Sequence, residues 1–208
     1  MKNNSNIKAV AFDYGGVIEI NDGGHLMQAV ADALGVSRSD LLKVYFKYNH
    51  FSNIENMPWE EMIIKVASEF TSSEEKKNKV RVAVREYGLK NKINTELLAL
   101  LPILRRQGYK VAILSNATSA LREKLNANGI AKLVDEIVIS GEIGFQKPHE
   151  GAFRVLFERL GVQPNEVVFI DDTPNSLEKT SEIGCIPILF KNNEQLKLDL
   201  EKLGISVN

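Results

Sequence analysis

Apolar positions along this chain follow two different periods. Residues 7–12 (IKAVAF) form a short continuous apolar run, closed by Asp13 and the turn Tyr14-Gly15-Gly16. A run of this length bounded by turn residues reads as a buried strand. Residues 93–107 (INTELLALLPILRRQ) instead carry apolar side chains at helical spacing and stop at Gly108. Strand-like and helix-like segments then alternate. Strands are expected at 109–114, 135–140, 167–170 and 186–190, with helices at 118–128, 150–160 and 176–183 ending at Gly129, Gly161 and Gly184. Alternation with helices of this length predicts βαβ units and a parallel sheet covered on both faces. With residues 7–12 as its first strand, the expected fold is α/β, with a doubly wound, mainly parallel five-stranded sheet.

Residues 19–92 break that alternation. They contain no convincing strand and four helical segments, near 24–34, 39–48, 58–70 and 73–87. Ser37-Arg38-Ser39-Asp40 and Thr71-Ser72-Ser73-Glu74 read as helix N-caps, and Pro58 suits a first helical turn. The expected division is an α/β core of residues 1–18 and 93–208 and an α-helical cap of residues 19–92. An insert placed directly after the first strand would lie over the C-terminal edge of the sheet.

Composition narrows the classes. A chain of 208 residues suits one large domain or a core with an insert, and 44% hydrophobic with 25% charged residues is ordinary for a globular protein. The net charge of −1 gives no basis for a nucleic-acid or anionic-membrane partner. No apolar run approaches the roughly 18 residues needed to cross a bilayer. The opening MKNNSN leads into a strand without the apolar segment of a signal peptide, so a cytoplasmic location is expected. Cys185 is the single cysteine, which excludes an intrachain disulfide or a thiolate cluster.

Candidate chemistry gathers where strands end. Asp13 follows the first strand, Ser115-Asn116 follows VAIL, Lys147-Pro148 follows a turn, and Asp171-Asp172 follows VVFI. Open α/β sheets bind ligands beyond the carboxyl ends of their strands, and glycines after Asp13 allow close backbone approach. Taken singly, each has a plainer reading. Asp13 can cap a turn, Ser115 can cap a helix, Lys147 can be a solvated lysine, and the Asp pair can open the turn at Thr173-Pro174.

Taken together, FDYGGV, LSNAT, SGEIGFQKPHEGAF and FIDDTPNSLEKTSEIG resemble the motifs of the haloacid dehalogenase superfamily, in the form with a helical cap after the first motif. The resemblance covers essentially the whole chain. It implies a Mg²⁺-dependent phosphatase acting on a small phosphorylated substrate, with Asp13 as nucleophile through an aspartyl-phosphate. It further implies Mg²⁺ held by the Asp13 carboxylate, the Gly15 carbonyl and Asp172. Lys147 would stabilise the transition state, Ser115 and the Asn116 backbone N–H would hold phosphoryl oxygens, and Asp171 would support Asp172 or orient Lys147.

Two positions depart from the family pattern. Gly15 stands where its phosphatases carry a second Asp as general acid and base, a function worth about 10²–10⁴-fold. Hydrolysis is therefore expected to be slow, with Asp22 or His25 as candidates to substitute. Ser176 replaces an acid that many relatives carry. A phospho-ligand or protein-binding module of little turnover, and a 2-haloacid dehalogenase, are the alternatives. The second needs a halide-binding arginine, for which Arg38 is the earliest candidate in the insert. Tyr45, Phe46, Tyr48, His50, Phe51 and Trp59 fit either the insert's own core or a substrate pocket. Assembly stays open between monomer and homodimer.

Overall fold

The structure, a computed structural model, describes residues 6–21 and 26–207. In chain order the strands are β1 (Ala9–Phe12), β2 (Glu19–Asn21), β3 (Asn91–Ile93), β4 (Lys110–Ser115), β5 (Glu136–Ile139), β6 (Val167–Asp171) and β7 (Ile186–Leu189). The helices run α1 (Leu26–Leu34), α2 (Arg38–Asn53), α3 (Trp59–Ser68), α4 (Glu74–Gly88), α5 (Thr95–Arg106) and α6 (Ala120–Ala127). They continue with α7 (Ser140–Ile143), α8 (Glu150–Leu160), α9 (Pro174–Leu177), α10 (Thr180–Ile183) and α11 (Asn193–Lys202).

Five strands form one parallel sheet in the order β5-β4-β1-β6-β7. Every residue of β1 and β6 is buried, which is why these strands read as unbroken apolar runs rather than alternating ones. Within β1, Val10 and Phe12 face a core with α5, α6 and α11, while Ala9 and Ala11 face a second core with α8. That alternation is the two-residue period of a strand. Gly108, Gly129, Gly161 and Gly184 all have positive φ, so each ends its helix as the sequence led us to expect.

Helices α1–α4 bury a separate cluster that includes Val30, Leu34, Leu41, Met62, Ile63 and Val66. The Ser37 hydroxyl accepts the Asp40 N–H at 3.0 Å and Ser73 accepts the Lys76 N–H at 3.4 Å, so α2 and α4 start at their anticipated caps. Asn56, held at φ 61°, fixes this helical block over the C-terminal ends of the strands. Its carboxamide accepts the Ser119 N–H at 2.7 Å and donates to the Gly141 carbonyl at 2.7 Å. Among the described residues, no helix is long and apolar enough to cross a membrane.

Three expectations need correction. The stretch 19–92 does contain strand at its margins, since β2 and β3 pair antiparallel, with Glu19 opposite Ile93 and Asn21 opposite Asn91. Two three-residue segments far apart in sequence show no period, so only their meeting in space makes them strands. Secondly, the helix anticipated at 176–183 is two short helices, α9 and α10. The Thr180 hydroxyl donates to the Leu177 carbonyl at 2.6 Å and takes the acceptor that a continuing helix would use. Finally, α2 runs on to Asn53 rather than ending at 48. Its last turns bury Asn49, Ser52 and Asn53, polar residues invisible to a search for apolar periodicity.

Candidate active site

Asp13 leaves β1 while still tied to the sheet, its N–H donating to the Ile170 carbonyl at 2.8 Å. Its Oδ1 accepts the Tyr14 N–H at 2.6 Å and lies 3.0 Å from Lys147 Nζ. The same ammonium lies 2.5 Å from Asp171 Oδ2. Lys147 is only 2% exposed and Asp171 is fully buried, so the pair is a buried ionic cluster at the sheet's C-terminal edge. Taking one partner from such a cluster typically costs about 3–5 kcal/mol, because the others are left uncompensated.

Asp172 completes the group: one carboxylate oxygen from each of Asp13, Asp171 and Asp172 lies within 4.8 Å of the others. Burial, and then the charge of Asp13, push the Asp171 carboxyl up to about 7, against the pull of Lys147. Asp172 is raised by the same two causes. For Lys147, burial alone would favour the neutral amine, but Asp13 and Asp171 outweigh it and hold the ammonium above the ordinary lysine range.

Negative charge therefore exceeds positive charge at this point, and the surplus suits a cation. The backbone fits one as well. Among the described residues none donates a hydrogen bond to the Gly15 carbonyl, although the turn is held by Glu19 N–H to Tyr14 O and Gly16 N–H to Glu19 O. At Gly16, φ is +76° and an added Cβ would lie 2.2 Å from Asp172 Oδ2, so the Asp172 carboxylate sits where only glycine leaves room. An oxygen donor set of two carboxylates and a carbonyl is the chemistry that Mg²⁺ accepts.

On the other side of Asp13, β4 delivers Ser115 and Asn116. Ser115 is 4% exposed, and its hydroxyl has no partner among the described residues; neither has the Asn116 N–H. Both donors are thus unspent beside the buried lysine. The Asn116 side chain has a role that the sequence did not suggest. Its Oδ1 accepts the Lys147 N–H at 2.7 Å and its Nδ2 donates to the Lys147 carbonyl at 3.0 Å.

Position 15 is open, since a Cβ built there would meet nothing within 4 Å. Asp22 and His25, the substitutes considered for the missing acid, lie outside the described residues. Ser176, the second departure, is buried in α9 and lines the cavity beside Asp13. That cavity, of about 450 Å³, runs between the Asp13–Lys147 floor and the wall made by α2 and α3. Arg38, Asn49, Asn53, Tyr45 and Trp59 line the wall. Tyr45, Tyr48, Phe51 and Trp59 also pack on the core of the helical block, so Tyr45 and Trp59 serve both surfaces while Phe46 is exposed. His50 lies 3.7 Å from Glu55, and His149 caps α8 through Nδ1. Tyr45, Phe46 and Trp59 were among the pocket candidates of the sequence, whereas Asn49 and Asn53, four residues apart on one face of α2, were missed there.

Residues 7–178 match the family model described as haloacid dehalogenase-like hydrolase. Bifunctional epoxide hydrolase 2 of Sus scrofa is 28% identical over 119 residues, covering 54% of this chain but only 21% of that protein. The chain thus spans about a fifth of that relative's length. Phosphatase MT3486 of Mycobacterium tuberculosis (strain CDC 1551 / Oshkosh) is 27% identical over 219 residues and 95% of each chain. A similar fold is found in a HAD family enzyme of Bacteroides thetaiotaomicron, solved in complex with magnesium and inorganic phosphate. The TM-score is 0.62 at 18% identity, covering 91% of this chain and 98% of that one.

Proposed function

Since the chain belongs to the haloacid dehalogenase-like hydrolases, we propose that it is a Mg²⁺-dependent phosphatase of small phosphorylated metabolites. One observation carries the reading: Lys147 Nζ bridges Asp13 and Asp171, with Asp172 within reach of both acids, at the sheet edge where ligands bind.

Asp13 is the nucleophile. Its carboxylate attacks phosphorus, the bond to the ester oxygen breaks, and an aspartyl-phosphate forms that water then hydrolyses. Lys147 neutralises charge on Asp13 and on the phosphoryl oxygens, and Asp171 holds the ammonium in place. The Ser115 hydroxyl and the Asn116 N–H donate to phosphoryl oxygens. Asp13, the Gly15 carbonyl and Asp172 are the groups that would hold Mg²⁺, which supplies charge neutralisation between an anionic nucleophile and an anionic substrate. The helices of residues 19–92 act as a cap that excludes water over the core of 1–18 and 93–208.

Gly15 favours a second reading, in which the site binds phosphorylated ligands and seldom turns over. No acid at this position protonates the leaving oxygen or activates the second water. A dehalogenase is disfavoured by Asp172, because that reaction has no use for a second acid at a cation site. Phosphate release from a panel of phosphomonoesters, with and without Mg²⁺ and beside Asp13→Asn, separates these readings. Release that requires Mg²⁺ and vanishes in Asp13→Asn supports the phosphatase. Binding of the same esters without release, in a protein that Gly15→Asp makes active, supports the binding module.

A further inference from the structure

The turn that bears Asp13 and Gly15 is braced from outside the site. Tyr14, between them, is only 5% exposed. Its N–H donates to Asp13 Oδ1 at 2.6 Å, and its carbonyl accepts the Glu19 N–H at 2.8 Å. The Gly16 N–H in turn donates to the Glu19 carbonyl at 2.8 Å. Because a trans peptide points its C=O opposite to its N–H, this last bond aims the Gly15 carbonyl away from Glu19. Glu19 also holds the far end of Tyr14, whose hydroxyl donates to Glu19 Oε1 at 3.1 Å.

The same carboxylate has two more partners. Lys124 of α6 lies 2.5 Å from Oε1 and 5.4 Å from the centre of the Tyr14 ring, and Asn91 of β3 donates to Oε2 at 3.1 Å. One side chain thus joins the turn after β1, both strands of the small sheet, and α6. The chain enters helices α1–α4 through β2 and leaves them through β3, so both crossings are tied to α6 and to Tyr14. The Glu19 side chain is 15% exposed, which shields these contacts from water in part. Among the described residues, its carboxylate bonds to none of Asp13, Lys147 and Asp172.

We propose that Glu19 is a positioning residue of this site, tying the seating of helices α1–α4 to the aim of Asp13 and of the Gly15 carbonyl. A shift of β2 or β3 against α6 pulls on the Glu19 carboxylate and, through the Tyr14 hydroxyl, on the turn that bears the nucleophile. The site is then fully ordered only when the helical block is seated on α6. This rests on the phosphatase reading for the reaction, but the brace itself is measurable without turnover.

The test uses the full chain with Glu19→Ala, which removes all three contacts, and Glu19→Gln, which gives up the ion pair but keeps an acceptor for Tyr14. Three readouts are taken: amide hydrogen exchange, Mg²⁺ affinity by titration calorimetry, and steady-state hydrolysis of p-nitrophenyl phosphate at saturating Mg²⁺. In Glu19→Ala, exchange should quicken in residues 16–19 and 91–94 together. Mg²⁺ affinity should weaken about tenfold or more, and kcat should fall by a similar factor with KM nearly unchanged. Glu19→Gln should fall between, and it carries the same comparison if Glu19→Ala does not fold. Adding Tyr14→Phe to Glu19→Ala should lower kcat no further, since both remove the same hydrogen bond. Faster exchange with parental Mg²⁺ affinity and kcat would make Glu19 a structural contact only and overturn the proposal, as would unchanged exchange. If the parent binds Mg²⁺ but hydrolyses no ester, the phosphatase reading falls, and the Mg²⁺ affinity of Glu19→Ala still decides for or against the brace. A parent that neither binds Mg²⁺ nor hydrolyses an ester overturns both.

Discussion

The Asn116 carboxamide grips the backbone of Lys147 from both sides, accepting its N–H at 2.7 Å and donating to its carbonyl at 3.0 Å. Two elements meet there, the end of β4 and the loop that follows α7. The ammonium that bridges Asp13 and Asp171 therefore depends on a side chain that touches neither acid.

Asn116→Ala removes both hydrogen bonds, each worth about 0.5–1.5 kcal/mol. We expect kcat for phosphoester hydrolysis to fall about 10- to 100-fold while the thermal midpoint drops only slightly. Asn116→Asp, which keeps the acceptor and loses the donor, should fall between. Equal kcat in all three proteins would remove Asn116 from any positioning role.

Gly15→Asp should raise the hydrolysis rate. The position has space, with nothing within 4 Å of an added Cβ, and its φ is not in the left-handed region. A general acid–base group there is worth about 10²–10⁴-fold. Steady-state rates and a pH profile that gains a new ionisation would show it; an unchanged rate would mean that another group already does this work.

The neighbouring glycine should behave in the opposite way. In Gly16→Ala the new methyl meets the Asp172 carboxylate at 2.2–2.6 Å, on a backbone with φ +76° that favours glycine. Mg²⁺ affinity, followed by titration calorimetry, should weaken by an order of magnitude or more, and the thermal midpoint should fall. The control is Gly15→Ala, which should leave the midpoint nearly unchanged.

Lys147→Ala leaves Asp13 and Asp171 facing each other without their cation. The expected loss of stability is about 3–5 kcal/mol, read from the denaturant midpoint at neutral pH. Added Mg²⁺ should recover part of it through Asp13 and Asp172. A loss that Mg²⁺ does not touch would argue against a cation at these carboxylates.

Glu166 gives a prediction far from the site. It pairs with Lys8 at 2.6 Å and accepts the Gln163 N–H at 2.9 Å, and these partners hold its carboxyl below the ordinary 4.5. The folded state binds this proton less readily than the unfolded chain. Its contribution to stability is therefore present above pH 4.5 and lost as pH falls through the lower folded value. Glu166→Gln should melt earlier than the parent at neutral pH, and the gap should close in acid. Parallel melting curves across pH would contradict the assignment.

The sheet was legible because burial on both faces makes β1, β4 and β6 into continuous apolar runs, and because a glycine of positive φ closes each intervening helix. The pairing of β2 with β3 was not, since three-residue segments carry no period and their partnership is made only when the chain crosses twice between core and helical block. The kink between α9 and α10 escaped for a related reason: the Thr180 hydroxyl competes for a backbone acceptor, and composition does not reveal which acceptor it wins.

The same division runs through the site. Asp13, Ser115, Lys147 and Asp171-Asp172 could be found in the sequence because each directly follows a recognisable strand or turn, and parallel strands must end at the same edge. What the linear chain left open is every relationship across that edge. It did not tell that Asn116 braces Lys147, that Asn56 anchors the helices above, or that Asn49 and Asn53 line one cavity with Asp13. Local patterns fix which face of an element is apolar, since burial is repeated along the element. Polar contacts between elements occur once, at one distance, and only the packed fold decides them.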